Sequence, residues 1–199
     1  MSERWAHRIS AFFHPLFLNY AGFLLMLLLV MQRRHYSGKG FTLICVLYFI
    51  NTVLLPLLFA GMLRLRGHIK SLRMDEQDER RLPFLATSVF YLVTYYLFDK
   101  LDLDSLLRSY VLASSAILIF TALINNFYKI SIHAIAVGAL LGLCLRIGMW
   151  GTFEMRIVLL ALLPAAGLVL SARLFSAAHD SRQLLSGFLL GGGMMWMIV

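Results

Sequence analysis

Seven apolar segments, joined by connections too short to fold as separate domains, leave this chain one architecture. They cover residues 12–31, 41–62, 82–98, 107–127, 132–150, 157–174 and 184–199. A stretch of about 20 apolar residues is the length that crosses the hydrocarbon of a bilayer as a helix. In lipid no open structure other than a helix satisfies its own backbone. The expected fold is therefore all-α, a polytopic membrane bundle of six or seven transmembrane helices in one domain, 1–199. Segments 82–98 and 184–199 lie near the lower length limit, so the six-span version lays one of them in the interface or makes it re-entrant. The start resembles a signal peptide, but the run is long and ends in Gln32-Arg33-Arg34. It is expected to be an uncleaved first span.

Composition agrees. The chain of 199 residues is 60% hydrophobic and 14% charged, with a mean hydropathy of +0.80. A soluble domain of this length exposes more charge. The formal charge is +8. The basic residues are scattered between apolar segments rather than gathered on a soluble face, which argues against nucleic acid. Anionic headgroups or an anionic substrate fit better. Cys45 and Cys144 both fall in apolar segments and imply neither a disulfide framework nor a zinc site. Trp5, Trp150, Tyr95 and Tyr96 suit aromatic belts, and His14-Pro15 suits a helix start.

Three polar clusters interrupt the apolar pattern. If all seven segments span, all three face one side. The most informative contains Arg173, His179, Gln183 and Gly187. On a continuous helix Arg173 and His179 stand about 240° apart and share no face. They converge if one helix ends near Arg173 and another starts after His179. Asp180-Ser-Arg-Gln183 reads as a capping box that starts such a helix, placing His179 where anions are favoured. The plainer alternative is a snorkelling Arg173 and an ordinary loop histidine.

The second cluster is Lys129-Ile-Ser131-Ile-His133. Ser131 can cap the fifth span, and the free N–H groups there suit a phosphate oxygen. His133 suits a general acid. The third cluster runs from Arg73 to Pro83 and includes Arg80 and Arg81, side chains suited to bidentate phosphate contacts. Asp75, Asp78 and Glu79 also permit a magnesium reading. The bland alternative is a solvated loop of compensating charges. Ala134, Gly138 and Gly142 form a small-residue stripe on the fifth span, and Gly187 and Gly191 form another on the seventh. Such stripes let helices pack closely, which would hold His133 near His179.

Together these clusters resemble the type 2 phosphatidic acid phosphatase superfamily. Its motifs run Lys-x6-Arg-Pro, Pro-Ser-Gly-His and Ser-Arg-x5-His-x3-Asp-x3-Gly. The third reads here Arg173-x5-His179-x3-Gln183-x3-Gly187, the second Ile130-Ser131-Ile132-His133. The first reads Arg73-x6-Arg80, with Pro83 three residues later. The resemblance implies a metal-independent hydrolase of a lipid phosphate or diphosphate that needs no cofactor. It implies that His179 is the nucleophile forming a phosphohistidine and His133 the general acid. Arg173, Ser131, Arg80 and Arg73, with Lys129 and Arg81 nearby, would hold phosphoryl oxygens, and Gln183 would orient His179. It also implies a bacterial inner-membrane location. The chain departs from the pattern at Gln183, where the family has aspartate, and at Ile130 and Ile132, where it has proline and glycine.

Two other readings stay open. One is a membrane protein that binds a lipid phosphate without turnover, favoured by Gln183 and Ile132. The other is a magnesium-dependent prenyltransferase-like enzyme, suggested by Asp75-x-x-Asp78 ahead of Arg80-Arg81.

Overall fold

The apolar segments form helices, several of which run past the apolar residues defining them. The computed structural model describes residues 2–33, 37–72, 74, 76–149 and 153–199, and among these there is no strand. The helices are α1 (Glu3–Phe12), α2 (Pro15–Arg33), α3 (Gly38–Phe49), α4 (Leu55–Leu65), α5 (Arg81–Lys100), α6 (Ser105–Ile124), α7 (Ile132–Gly148), α8 (Phe153–Phe175) and α9 (Ser181–Ile198). Among the described residues five helical stretches are long and apolar enough to cross a membrane: Glu3–Met31, Gly38–Leu65, Asp78–Lys100, Ser105–Ile124 and Ile157–Phe175.

The sequence reading is corrected at three places. The segment 82–98, near the length limit by hydropathy, is the core of the stretch Asp78–Lys100. Polar residues at both ends continue the helix, because helical backbone does not stop where apolar side chains do. The first segment begins earlier, at Glu3, and is broken at Phe13 and His14 before Pro15 opens α2. Proline suits a first helical turn and pushes its predecessor out of helical backbone. The segments behind α7 and α9 are not among the five long stretches. α7 is a shorter apolar helix, and α9 opens with the polar Ser181, Arg182 and Gln183.

The chain divides into two compact units, Tyr20–Tyr128 and Met1–Asn19 with Lys129–Val199. The first centres on aromatic rings. Phe23 stacks on Tyr48 at 3.7 Å between centroids, with Phe98 and Tyr110 beside them. Its buried Thr52, Thr87, Ser88, Thr94, Ser115 and Thr121 each donate to a carbonyl four residues back. That self-satisfaction lets a hydroxyl sit in an apolar interior. Between α3 and α4 the helix widens to a π turn over Ile50–Leu54. Pro56 has no N–H to return to the Thr52 carbonyl, and the Tyr91 hydroxyl donates to that oxygen at 3.4 Å. Gln77 and Asn125 clasp each other, side-chain amide to backbone carbonyl in both directions, at 2.6 and 2.9 Å.

The second unit is built on α7 and α9. A Cβ added at Gly138 would overlap the Phe188 carbonyl, one at Gly142 the Gly192 carbonyl, and one at Gly191 the Ile135 carbonyl. The two backbones therefore touch along the expected small-residue stripes. The pairs climb in the same direction on both helices, so α7 and α9 run parallel. α8, which connects them and packs on α7, must run back. Its C-terminus thus meets the N-termini of α7 and α9. Val137, Leu141, Ala166 and Val169 form the apolar core, and Ile9 and Phe13 pack against it. Overfilling packed sites costs about 1–3 kcal/mol. Gly191→Val is expected to lower the thermal midpoint in detergent strongly. Gly193→Ala, on the same helix but facing open space, should leave it unchanged or raise it by the equivalent of about 1 kcal/mol. Equal midpoints for the two variants would refute the backbone seam.

Candidate active site

The junction of α8 and α9 is shaped by one turn. Arg173 lies in the last turn of α8, where a cation complements the helix dipole. Ala177 takes a left-handed backbone, φ 49°, and the chain reverses into α9. Asp180 caps that helix. Its Oδ1 accepts from Gln183 N at 2.8 Å, and Gln183 Oε1 accepts from Asp180 N at 3.4 Å. The capping box expected from the sequence is present.

The same Gln183 oxygen holds His179. His179 Nδ1 lies 2.9 Å from Gln183 Oε1. An amide oxygen only accepts, so Nδ1 carries the hydrogen and the neutral ring keeps its lone pair on Nε2. His179 is 4% exposed. A buried imidazole fixed in this tautomer is suited to attack an electrophile through Nε2.

The α7 terminus faces the same place. Ser131 is the N-cap, fully buried, with Oγ accepting from Ala134 N at 3.5 Å. A Cβ at Gly187 would stand 2.8 Å from the Ser131 carbonyl, so the glycine spaced from His179 seats α9 directly on the serine cluster. His133 follows Ser131 and is 8% exposed. Its Nε2 is 3.0 Å from the Ser10 carbonyl of α1. A carbonyl accepts, so Nε2 carries the hydrogen. Nδ1 is left as an acceptor, buried and, among the described residues, without a hydrogen-bond partner. His133 lies in the electrostatic field of Arg173, His14 and His179. Two helix N-termini, Arg173 and the half-buried Lys129 make this end of the unit favourable to an anion.

His179, Gln183, Arg173, Ser131, Lys129 and His133 thus belong to one unit, and its helix ends gather there. The cluster around Arg80 belongs to the other unit. Arg80 is 3% exposed and its Nε donates to the Met74 carbonyl at 2.7 Å. Arg81 is exposed and pairs with Asp78 at 2.8 Å. Arg73 and Asp75 lie outside the described residues. Among the described residues no three His, Cys, Asp or Glu side chains gather as a metal site.

Two participants escape sequence reasoning. One is the Ser10 carbonyl, a backbone atom 123 residues from His133. The other is His14, whose ring centre is 6.3 Å from that of His133. His14-Pro15 signals a helix start, as found, but nothing local signals its neighbour. Compared with protein-family models, curated proteins and solved structures, the chain matches none.

Removing the shared acceptor tests the arrangement. In Gln183→Leu the His179 ring loses its fixed tautomer. Its ¹⁵N shifts are expected to move from the Nδ1–H pattern toward a mixture. Asp180→Ala, which removes the N-cap, is expected to cost about 1 kcal/mol in thermal unfolding. Unchanged His179 shifts in Gln183→Leu would show that the glutamine does not orient the ring.

Proposed function

We propose that this chain is a membrane-embedded phosphatase that hydrolyses a lipid phosphate or diphosphate through a phosphohistidine on His179. The observation that carries the reading is the His179 Nδ1–Gln183 Oε1 contact of 2.9 Å, which keeps the lone pair of a buried ring on Nε2, with Arg173 and His179 both acting electrostatically on His133. His179 Nε2 attacks phosphorus, and the bond from phosphorus to the leaving oxygen breaks. With Nε2–H held on the Ser10 carbonyl, His133 Nδ1 takes a proton from the hydroxyl of the bound phosphoryl group and passes it to that oxygen. In the second step His133 Nδ1 takes a proton from water and returns it to the released phosphate. The water oxygen bonds to phosphorus, and the bond to His179 breaks. Arg173, Lys129, Ser131 and the free N–H groups of α7 and α9 hold the phosphoryl oxygens, where preorganised donors lower the barrier most. In this reading α7 and α9 span with the five long stretches, in a membrane of bacterial inner type as the resemblance implies.

Gln183 supports a second reading, in which the site binds a lipid phosphate without turnover. A neutral amide orients the imidazole but brings no charge to stabilise an imidazolium. In a serine triad the loss of that charge costs about 10⁴ in rate.

The test is phosphate release from a panel of lipid phosphates and diphosphates by the detergent-purified protein in EDTA. Release is expected for at least one lipid and should disappear in His179→Ala. Gln183→Glu, which restores a carboxylate, is expected to raise the rate by about tenfold or more. Binding of lipid phosphate with no release, in both the wild type and Gln183→Glu, would select the binding protein.

A further inference from the structure

The α1–α2 corner brings a third imidazole to the site, and its state is fixed by the backbone. His14 Nδ1 accepts from Leu16 N at 3.3 Å. That bond starts α2 and places the hydrogen of the neutral ring on Nε2. Among the described residues this Nε2–H makes no hydrogen bond, although the ring is half-buried. The neighbouring ring has the complementary deficit. His133 Nδ1 is a buried acceptor with no donor, and the two ring centres are 6.3 Å apart at 75°. A buried polar atom without a partner costs about 1–3 kcal/mol. One corner therefore holds an uncommitted donor and an uncommitted acceptor, the latter in the electrostatic field of Arg173.

We propose that His14 is a further residue of this site and that its Nε2–H donates to a phosphoryl oxygen of the bound ligand. The inference rests on the phosphate reading of the His179 site and extends it to the corner ahead of the first long helix. The chemistry that satisfies both rings is a phosphoryl group whose oxygen accepts from His14. A hydroxyl on the same group, or a water beside it, donates to His133. His14 contributes binding and orientation, and no proton leaves it. The corner then does two jobs: the Ser10 carbonyl fixes His133, and four residues later His14 reaches the ligand.

Two substitutions separate the two nitrogens. Asparagine places an oxygen near the position of Nδ1, so His14→Asn keeps the acceptor for Leu16 N and loses the Nε2 donor. Glutamine reaches the Nε2 position with an amide N–H, so His14→Gln keeps a donor. Full-length protein in detergent is titrated with inorganic phosphate and, separately, with a short-chain phosphatidic acid. Binding of both probes marks the phosphoryl group itself as the element recognised, and binding of the lipid alone marks a headgroup. For whichever probe binds, His14→Asn is expected to weaken affinity about tenfold or more at an unchanged thermal midpoint. His14→Gln should retain most of the affinity. Should the asparagine variant fail to fold, ¹⁵N-histidine spectra of the wild type decide. The His14 Nε2–H signal is expected to shift when the ligand is added. Ligand binding with that signal unmoved, or with His14→Asn binding as the wild type does, overturns the role of His14 alone. Failure of the wild type to bind either probe overturns the phosphate site itself.

Discussion

Everything at the candidate site depends on two helix backbones touching. α7 and α9 meet through glycines, with no side chain between them at Gly138, Gly142 and Gly191. In lipid there is no hydrophobic drive to bring helices together, so close van der Waals packing must do it. The contact fixes the sliding register of the two helices as well as their distance. Because Gly187 rests on the Ser131 carbonyl, the start of α7 is held against the second turn of α9. A register shift of one turn, about 5.4 Å, would carry His179 away from His133 altogether. The parallel course of α7 and α9 then forces α8 to deliver Arg173 to the same end.

The second constraint is polar satisfaction in an apolar interior. In the Tyr20–Tyr128 unit, buried hydroxyls return their hydrogens to their own helices, and the carbonyl that Pro56 strands receives the Tyr91 hydroxyl. The His133 ring is half answered. Its Nε2 has the Ser10 carbonyl, while Nδ1 has nothing. A buried nitrogen left open in this way asks for a physical reason, and a ligand that completes the network supplies one.

Much of this was legible in the sequence because it is local. The break between Arg173 and His179, the capping box of Asp180 and Gln183, the Ser131 cap and the small-residue stripes are each set by residues within a few positions of one another. Hydropathy also marked the helices. It misplaced their ends, because Asp78, Asp99 and Lys100 are helical although polar. It also missed α1 as a separate helix ahead of Pro15. The contact between Ser10 and His133 was out of reach. It joins a backbone atom to a ring across 123 positions, and a carbonyl leaves no mark on sequence. His14 beside His133 is hidden for the same reason, being a product of packing and not of spacing. The cluster around Arg80 has its own local logic, in which the guanidinium is tied to the Met74 carbonyl.

One oxygen joins the start of α9 to the imidazole ahead of it. Gln183 Oε1 serves the Asp180 N–H and the His179 Nδ1–H together. Helix ends fray before helix middles, and the first turn of α9 includes that glutamine. Gentle warming that melts this turn would release the ring to rotate and exchange tautomers, while the glycine seam further along the helix stays closed. The chain would then keep nearly all of its helical signal and lose the arrangement at its centre. Functional lifetime and structural lifetime in such a protein are set by different bonds, and the shorter belongs to a single amide.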